Sequence, residues 1–480
     1  MALLTQPQIT TKMKEKNSRR NFIKGASATA AGFFILPRYV LGGNGFVAPS
    51  DKINVGIVGA GGQSMFSVRE LMKLDDVQIV SVSDPAEFVK PKVLYNSDTG
   101  RLPFKKFIED GYAEKSIKST ISIYEDFREM LLKEDIDAIV CATPDNTHAY
   151  VSITSMRAGK HVYCEKPLAH NIWEARKMRE VAKETGVSTQ MGNQGHAADA
   201  LRTTVEYLQT DVIGNVKEVH CWVGATRWSP ELKGLPKDPM PVPKGMNWDL
   251  WLGPTEFQPY HEAFAPVTWR DFWKFGSGAM GDFGCHDMDV AAWGLDLQMP
   301  ESVQLFPAGN NRSKEIIPFG EVGHYYFPEN DKRPPVKLKW YSGGLQPEIP
   351  EGVPDNFRLL GRGTMFVGEK GVMIQNGGMW SQPLIFPQQL AKDFDPPAAS
   401  IPRVENLHHR EWVDAMKGGP EAMSNFEYGA KLTEITLLGV LSLRLGGMKI
   451  NWDSENMKVK GWDKADELIR EPVRPGWEMS

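Results

Sequence analysis

The stretch INVGIVGAGG (residues 53–62) runs a short, β-branched apolar segment straight into glycines at 59, 61 and 62, and a helical pattern follows through Leu74. Strand, tight glycine turn and helix is the predicted local order. Gly59 and Gly61 let the backbone turn sharply and approach an anionic group, whose charge then sits on the helix N-terminus. Three residues after Gly61 stands Ser64, where the dinucleotide fingerprint has a third glycine, so the match is incomplete.

Two features extend it. A second apolar strand over 77–82 ends beside Asp84, 25 positions after Gly59. A carboxylate there can accept hydrogen bonds from both ribose hydroxyls and repels a 2'-phosphate, which favours NAD over NADP. The plainer reading is that Asp84 starts a turn with Pro85. The alternation then continues, with a helix near 124–133, a strand over 138–142, a helix over 147–158, a strand over 161–164, a helix over 172–185 and a strand over 187–191. The fold class is therefore α/β: a Rossmann doubly wound parallel sheet that binds ligands beyond the carboxyl ends of its strands. Candidate cofactor-binding residues are Gly59, Gly61, Gly62, Gln63, Ser64 and Asp84, and from three converging loops Thr143, Pro144, Asn146, His148, Glu165, Lys166 and Asn193. His148 is read as a brace for its loop.

After Gly195 the pattern changes to strands joined by long Pro- and Trp-rich connections. PVKLKWY (335–341) alternates apolar residues with lysines, as a strand buried on one face does. An open, largely antiparallel sheet is expected in a C-terminal α+β domain. The domain plan is 1–50 signal and linker, 51–195 nucleotide-binding domain, and 196–480 substrate and oligomerisation domain, whose last helices can pack back on the first. The helix near 428–445 carries Lys431, Glu434 and Arg444, which marks it as a packing helix and not a membrane span.

WRDFWKFGSGAMGDFGCHDMDVAAW (269–293) holds the strongest candidate chemistry. If Asp282 begins a helix, Asp282 and His286 share a face at i and i+4. A carboxylate that orients an imidazole makes a general base; the plainer reading is a helix histidine and an N-cap. Asp287 and Asp289 fall elsewhere around the helix, so no metal site is expected. Gln194, Arg227, Trp269 and Arg270 are candidate substrate contacts, since indoles stack on sugar rings and guanidinium groups hold hydroxyls. Trp228, Trp248, Trp251 and Trp273 offer further aromatic faces.

ATPDNTH (142–148), CEKPLAHN (164–171) and the fingerprint at 56–62 together resemble the Gfo/Idh/MocA family of glucose-fructose oxidoreductases and inositol dehydrogenases, with Glu-Lys-Pro its most specific mark. The resemblance implies a catalytic set of Lys166, Asp282 and His286 and oxidation of an alcohol. His286 takes the hydroxyl proton, Lys166 stabilises the oxygen, hydride passes to nicotinamide, and Asp282 orients His286 or binds a neighbouring hydroxyl. It also implies a secondary hydroxyl or ketone of a sugar or glycoside as the reacting group, and a homo-oligomer. A redox-neutral, NAD-dependent glycosidase ranks second, because the histidine motif of that branch is not recognised around His286. A noncatalytic sugar-binding relative ranks third.

The formal net charge of -5 and the absence of a basic cluster alternating with aromatics argue against nucleic acid as a partner. Cys141, Cys164, Cys221 and Cys285 form no CxxC pair, so neither a zinc ribbon nor a disulfide framework is indicated. SRRNFIK (18–24) followed by GASATAAGFFIL (25–36) resembles a twin-arginine export signal, read by the twin-arginine translocation machinery. A periplasmic location is the expectation. A chain exported folded carries its NAD with it, so the cofactor is expected to be tightly held and regenerated in place.

Overall fold

The INVGIV run forms strand β1 (Ile53–Val58), and its last four residues are buried, as a parallel strand covered on both faces requires. The computed structural model describes residues 51–91, 94, 97–308 and 313–479; the expected export signal within residues 1–50 lies outside the described residues. After β1 come α1 (Gly62–Leu71), β2 (Val77–Ser83), α2 (Arg101–Glu114), β3 (Ser122–Tyr124), α3 (Phe127–Lys133) and β4 (Ala138–Cys141). Next are α4 (Asp145–Arg157), β5 (His161–Glu165), α5 (Ile172–Thr185) and β6 (Thr189–Gly192). The six strands pair in parallel in the order β3-β2-β1-β4-β5-β6. Chain direction across the sheet reverses between β1 and β4, which opens a crevice at their carboxyl ends.

Three local expectations are corrected. Tyr124 closes β3 instead of starting a helix, and α3 begins after Asp126, whose carboxylate accepts a hydrogen bond from the Arg128 amide at 2.9 Å. Helix α2 went unread; it buries Phe104, Ile108 and Tyr112 at four-residue spacing in a lysine-rich stretch. Helix α4 begins at Asp145, so Asn146 and His148 sit in its first turn and not in a loop.

The second half adds α6 (Asp199–Leu208), β7 (Val216–Val223), α7 (Trp248–Leu252), α8 (Gly278–Asp287), α9 (Asp289–Gly294), β8 (Ser302–Pro307), β9 (Glu321–Phe327) and β10 (Val336–Tyr341). It continues with β11 (Arg362–Gly368), β12 (Val372–Asn376), β13 (Leu384–Phe386), α10 (Gln388–Asp393), α11 (His408–Met416) and α12 (Phe426–Arg444). Strands β14 (Ile450–Asp453) and β15 (Lys458–Val459) complete a nine-stranded sheet, ordered β13-β12-β11-β7-β10-β9-β8-β14-β15. Only β7 and β10 pair in parallel; the other pairs are antiparallel. Along β10, Val336, Leu338 and Trp340 are buried while Lys337, Lys339 and Tyr341 are partly exposed, which is the expected one-sided strand. All four cysteines are free and buried.

Lys52–Ser480 packs as one compact unit. Its two sheets share a core through α12, which lies against α5, α8 and β8. Among the described residues, no helix is long and apolar enough to cross a membrane. Glycines set how closely α8 approaches: a Cβ at Gly284 would stand 2.6 Å from the Thr436 methyl of α12. Each such glycine costs a helix about 1 kcal/mol relative to alanine, a cost offset by the close crossing that carries Asp282 to the first sheet.

Asp76, just before β2, ties the first sheet to α11. Its carboxylate accepts hydrogen bonds from Arg410 at 2.8 and 3.1 Å and from Lys417 at 2.7 Å. Burial works against the charged form, but the two cations outweigh it and hold Asp76 at about 2, below its ordinary 3.8. A depressed carboxylate stabilises the fold above its unfolded pKa, and that contribution is lost as pH falls from about 4 toward 2. Asp76→Asn is expected to lower the unfolding free energy by about 1–2 kcal/mol near pH 7, after discounting for solvent screening. The difference from wild type should shrink as pH falls below about 4 and vanish only below about pH 2, as followed by denaturant titration at several pH values.

Candidate active site

The crevice beyond β1 and β4 holds a cavity of about 330 Å³. Its floor is the glycine turn: Gly59, Gly61, Gly62 and Gln63 line it, with Asp84, Thr143, Pro144, His148, Glu165 and Lys166 around the strand ends. At Gly59 the backbone has φ +91°, and a Cβ would lie 2.6 Å from the Ala142 carbonyl oxygen, so only glycine fits. At Gly61 a Cβ would meet nothing within 4 Å. That open space in front of a helix N-terminus fits a pyrophosphate approaching the backbone. The residues present therefore fit a dinucleotide.

Asp84 makes the turn of its plainer reading and holds the glycine loop as well. One oxygen accepts from the Ala86 amide at 2.7 Å, closing the turn at Pro85; the other accepts from the Ala60 amide at 2.7 Å, pinning the glycine loop. Burial raises its pKa against these two bonds. Asp84 is also among the residues that line the cavity.

From the second half, Trp228, Trp251, Trp269, Arg270, Asp282 and Phe283 complete the wall. Lys166, at the end of β5, donates a short hydrogen bond to Asp282 on α8, and the Arg270 guanidinium stands 3.7 Å from the other Asp282 oxygen. Burial opposes both charges, but each supports the other. Asp282 is pulled down to about 2 by Lys166 and Arg270, and the Lys166 amine is held above its ordinary value by Asp282. Glu165 is pushed up to about 7 by burial, although Lys166 and hydrogen bonds from Gln63 (3.2 Å) and Gln194 (2.9 Å) oppose the rise.

His286 lies one turn beyond Asp282 on α8, but α8 starts at Gly278, so Asp282 sits inside the helix and is no N-cap. Burial, then repulsion from Lys166 and Arg362, drives its pKa well below 6.5, so the ring is neutral. Its Nδ1 is buried and has no hydrogen-bond partner among the described residues. The expected orienting role of Asp282 is not what the geometry displays: that carboxylate is spent on Lys166 and Arg270.

Several candidate residues stand apart from the cavity lining: Ser64, Asn146, Asn193, Gln194, Arg227 and His286. Asn146 instead donates to the Leu252 carbonyl (3.1 Å) and the Thr255 hydroxyl (2.8 Å) on the far side of α4. Arg227 is buried and donates to the Ile317 and Pro230 carbonyls through its two terminal nitrogens, so it shapes a loop outside the cavity lining. Asn193 donates to Asp289 at 3.0 Å within a buried network that includes His196 and Tyr428. Trp248 is buried and stacked on Trp251. Sequence reasoning missed Trp477, which reaches the cavity from the end of the chain, where no local pattern marks it. It also gave no role to Asp145, which lines the cavity and accepts from the Ser277 hydroxyl at 2.5 Å; a carboxylate directly after a strand-end Pro144 was the available signal.

Among curated proteins, a glycosyl hydrolase family 109 protein of Shewanella pealeana is 29% identical over 184 residues, 35% of this chain and 38% of the relative. A levoglucosan dehydrogenase of Pseudarthrobacter phenanthrenivorans is 25% identical over 199 residues, 40% of this chain and 43% of the relative. The chain thus matches less than half the length of either. Among solved structures, the WlbA dehydrogenase of Bordetella pertussis, in complex with NADH and UDP-GlcNAcA, aligns with a TM-score of 0.56 at 17% identity over 84% of this chain and 98% of that one. The aldose-aldose oxidoreductase of Caulobacter crescentus aligns at 0.54 and 14% identity, over 84% and 100%. At these identities the likeness is one of fold. Residues 53–193 match the Gfo/Idh/MocA oxidoreductase family's NAD-binding Rossmann fold, and residues 214–316 match that family's C-terminal alpha/beta domain, together just over half of the chain. The open glycine turn at the strand ends and both of these matches agree: the chain belongs to the Gfo/Idh/MocA oxidoreductase family, and its cofactor is NAD.

Proposed function

We propose that the protein is an exported oxidoreductase acting on a secondary hydroxyl or ketone of a sugar or glycoside, with NAD retained and recycled in place. The observation that carries this reading is one cavity running from the glycine turn past Lys166 to Trp228, Trp251 and Trp269. Nucleotide-binding backbone, a polarising ammonium and aromatic faces suited to a sugar ring share that space.

NAD, when bound, supplies the hydride acceptor or donor. The chain's own residues do the rest. Lys166 donates a hydrogen bond to the reacting oxygen and stabilises negative charge on it, while Asp282 keeps the ammonium protonated and aimed. His286, neutral with Nδ1 unpartnered, is the proposed acceptor of the hydroxyl proton; it lies one helical turn beyond Asp282 and outside the cavity lining, so the role requires a substrate seated past Asp282. Trp269, under the Arg270 guanidinium at 4.2 Å, walls the sugar side.

A redox-neutral glycosidase is the second reading, favoured by the family 109 relatives; the levoglucosan dehydrogenase favours the first. SRRNFIK supports export, and export of a folded chain supports a cofactor that stays bound.

The test uses full-length protein purified without added cofactor and challenged with a panel of sugars and glycosides. Reduced nicotinamide without glycoside cleavage is the expected result; aglycone release without net reduction would favour the glycosidase. No nucleotide in the denatured protein, with no binding of added NAD, would overturn both. Lys166→Ala and His286→Ala should each lower turnover by about 100-fold or more and leave NAD affinity within about twofold. Gly59→Ala should abolish NAD binding, because its Cβ cannot clear the Ala142 carbonyl.

A further inference from the structure

His148, in the first turn of α4, is buried. Its Nδ1 lies 2.7 Å from the Pro167 carbonyl oxygen and its Nε2 lies 2.9 Å from the Thr143 carbonyl oxygen. Both partners are backbone carbonyls, which only accept. A neutral imidazole carries one N–H, so one of these contacts would set a ring lone pair against an oxygen lone pair. Two hydrogen bonds form only when both nitrogens carry hydrogen. The two carbonyls belong to different cofactor loops: Thr143 follows β4, and Pro167 follows the reactive Lys166 at the end of β5.

The acidic groups around His148 are Asp145 on the same helix, Glu165 at the end of β5 and Cys141 at the end of β4. Burial raises Asp145 and pushes Glu165 up to about 7, and a charge on His148 works against both rises; it also helps hold the Cys141 thiol down. Cys141 and Cys164 offer sulfur atoms within 4.8 Å of a His148 ring nitrogen. The nearby cations Lys166 and Arg270 are already engaged with Asp282. His148 is also among the residues that line the cavity, with Glu165 and Lys166.

We propose that His148 is an imidazolium bracket that fastens the Thr143 loop to the Pro167 loop, a positioning residue that holds Lys166 in register with the dinucleotide. Each ring nitrogen ties one loop, so a side chain without these two donors leaves the loops on either side of the cofactor unfastened. The inference rests on NAD binding and not on the identity of the sugar.

Two measurements on the full chain test it. The first is ¹⁵N NMR of the histidine ring nitrogens in NAD-loaded protein near neutral pH, with His148→Phe supplying the assignment. Both His148 nitrogens should show the N–H form; an unprotonated ring nitrogen would overturn the proposal. This readout uses wild-type protein and stands even if the variant fails to fold. The second is NAD affinity of wild type and variant at one pH near neutral. His148→Phe, with neither bond, should bind roughly tenfold more weakly or worse. Equal affinity in the folded variant would contradict the bracket even if catalytic turnover is unchanged.

Discussion

A partly buried ammonium–carboxylate pair joins the two halves of this protein: Lys166 from the end of the parallel sheet and Asp282 from α8. Taking two charges out of water costs several kcal/mol per ion, and the cost is recovered only when the geometry is close and the remaining polar atoms find partners. Arg270 supplies part of that, 3.7 Å from the second Asp282 oxygen. Close geometry in turn requires α8 to sit tightly on α12, and Gly284 permits the contact. Removing Asp282 would leave the ammonium without its carboxylate, and removing Lys166 would leave Asp282 with Arg270 alone, so the pair makes the placement of α8 and the chemistry of Lys166 one problem.

The pair also changes the division of labour. An aspartate four residues before a histidine on a helix reads as an orienting dyad, yet Asp282 here serves the lysine. Consequently Lys166 stays charged and His286 stays neutral in the same neighbourhood, the protonation states wanted of an electrophile and a proton acceptor.

Much of the first half was legible because its determinants are local. A β-branched run, glycines where φ is positive, and a carboxylate at the end of β2 each dictate their own backbone, and the parallel order followed from alternation. Helix α2 was overlooked because its three buried residues sit in a charged stretch, and α4 was started too late because Pro144 suggested a loop. The second sheet announced itself only through β10, whose lysines alternate with core residues. Arg227 and Asn146 show the limit at the site: residue type gave them a ligand-binding role, but their partners, Ile317 and Leu252, lie 90 and 106 positions away and no local pattern reports them. His148 shows the converse, since a brace was expected from its position while the pair of carbonyls that defines its charge became visible only once β4 and β5 were side by side.

The central claim is that Lys166 presents a carbinol to NAD across a single cavity. It is tested most directly by mixing the cofactor-loaded protein with a turned-over sugar carrying deuterium on the reacting carbon, quenching during turnover and weighing the released nucleotide by mass spectrometry. The account predicts deuterium in the nucleotide. A sugar that is converted while its label never reaches the nucleotide would contradict it.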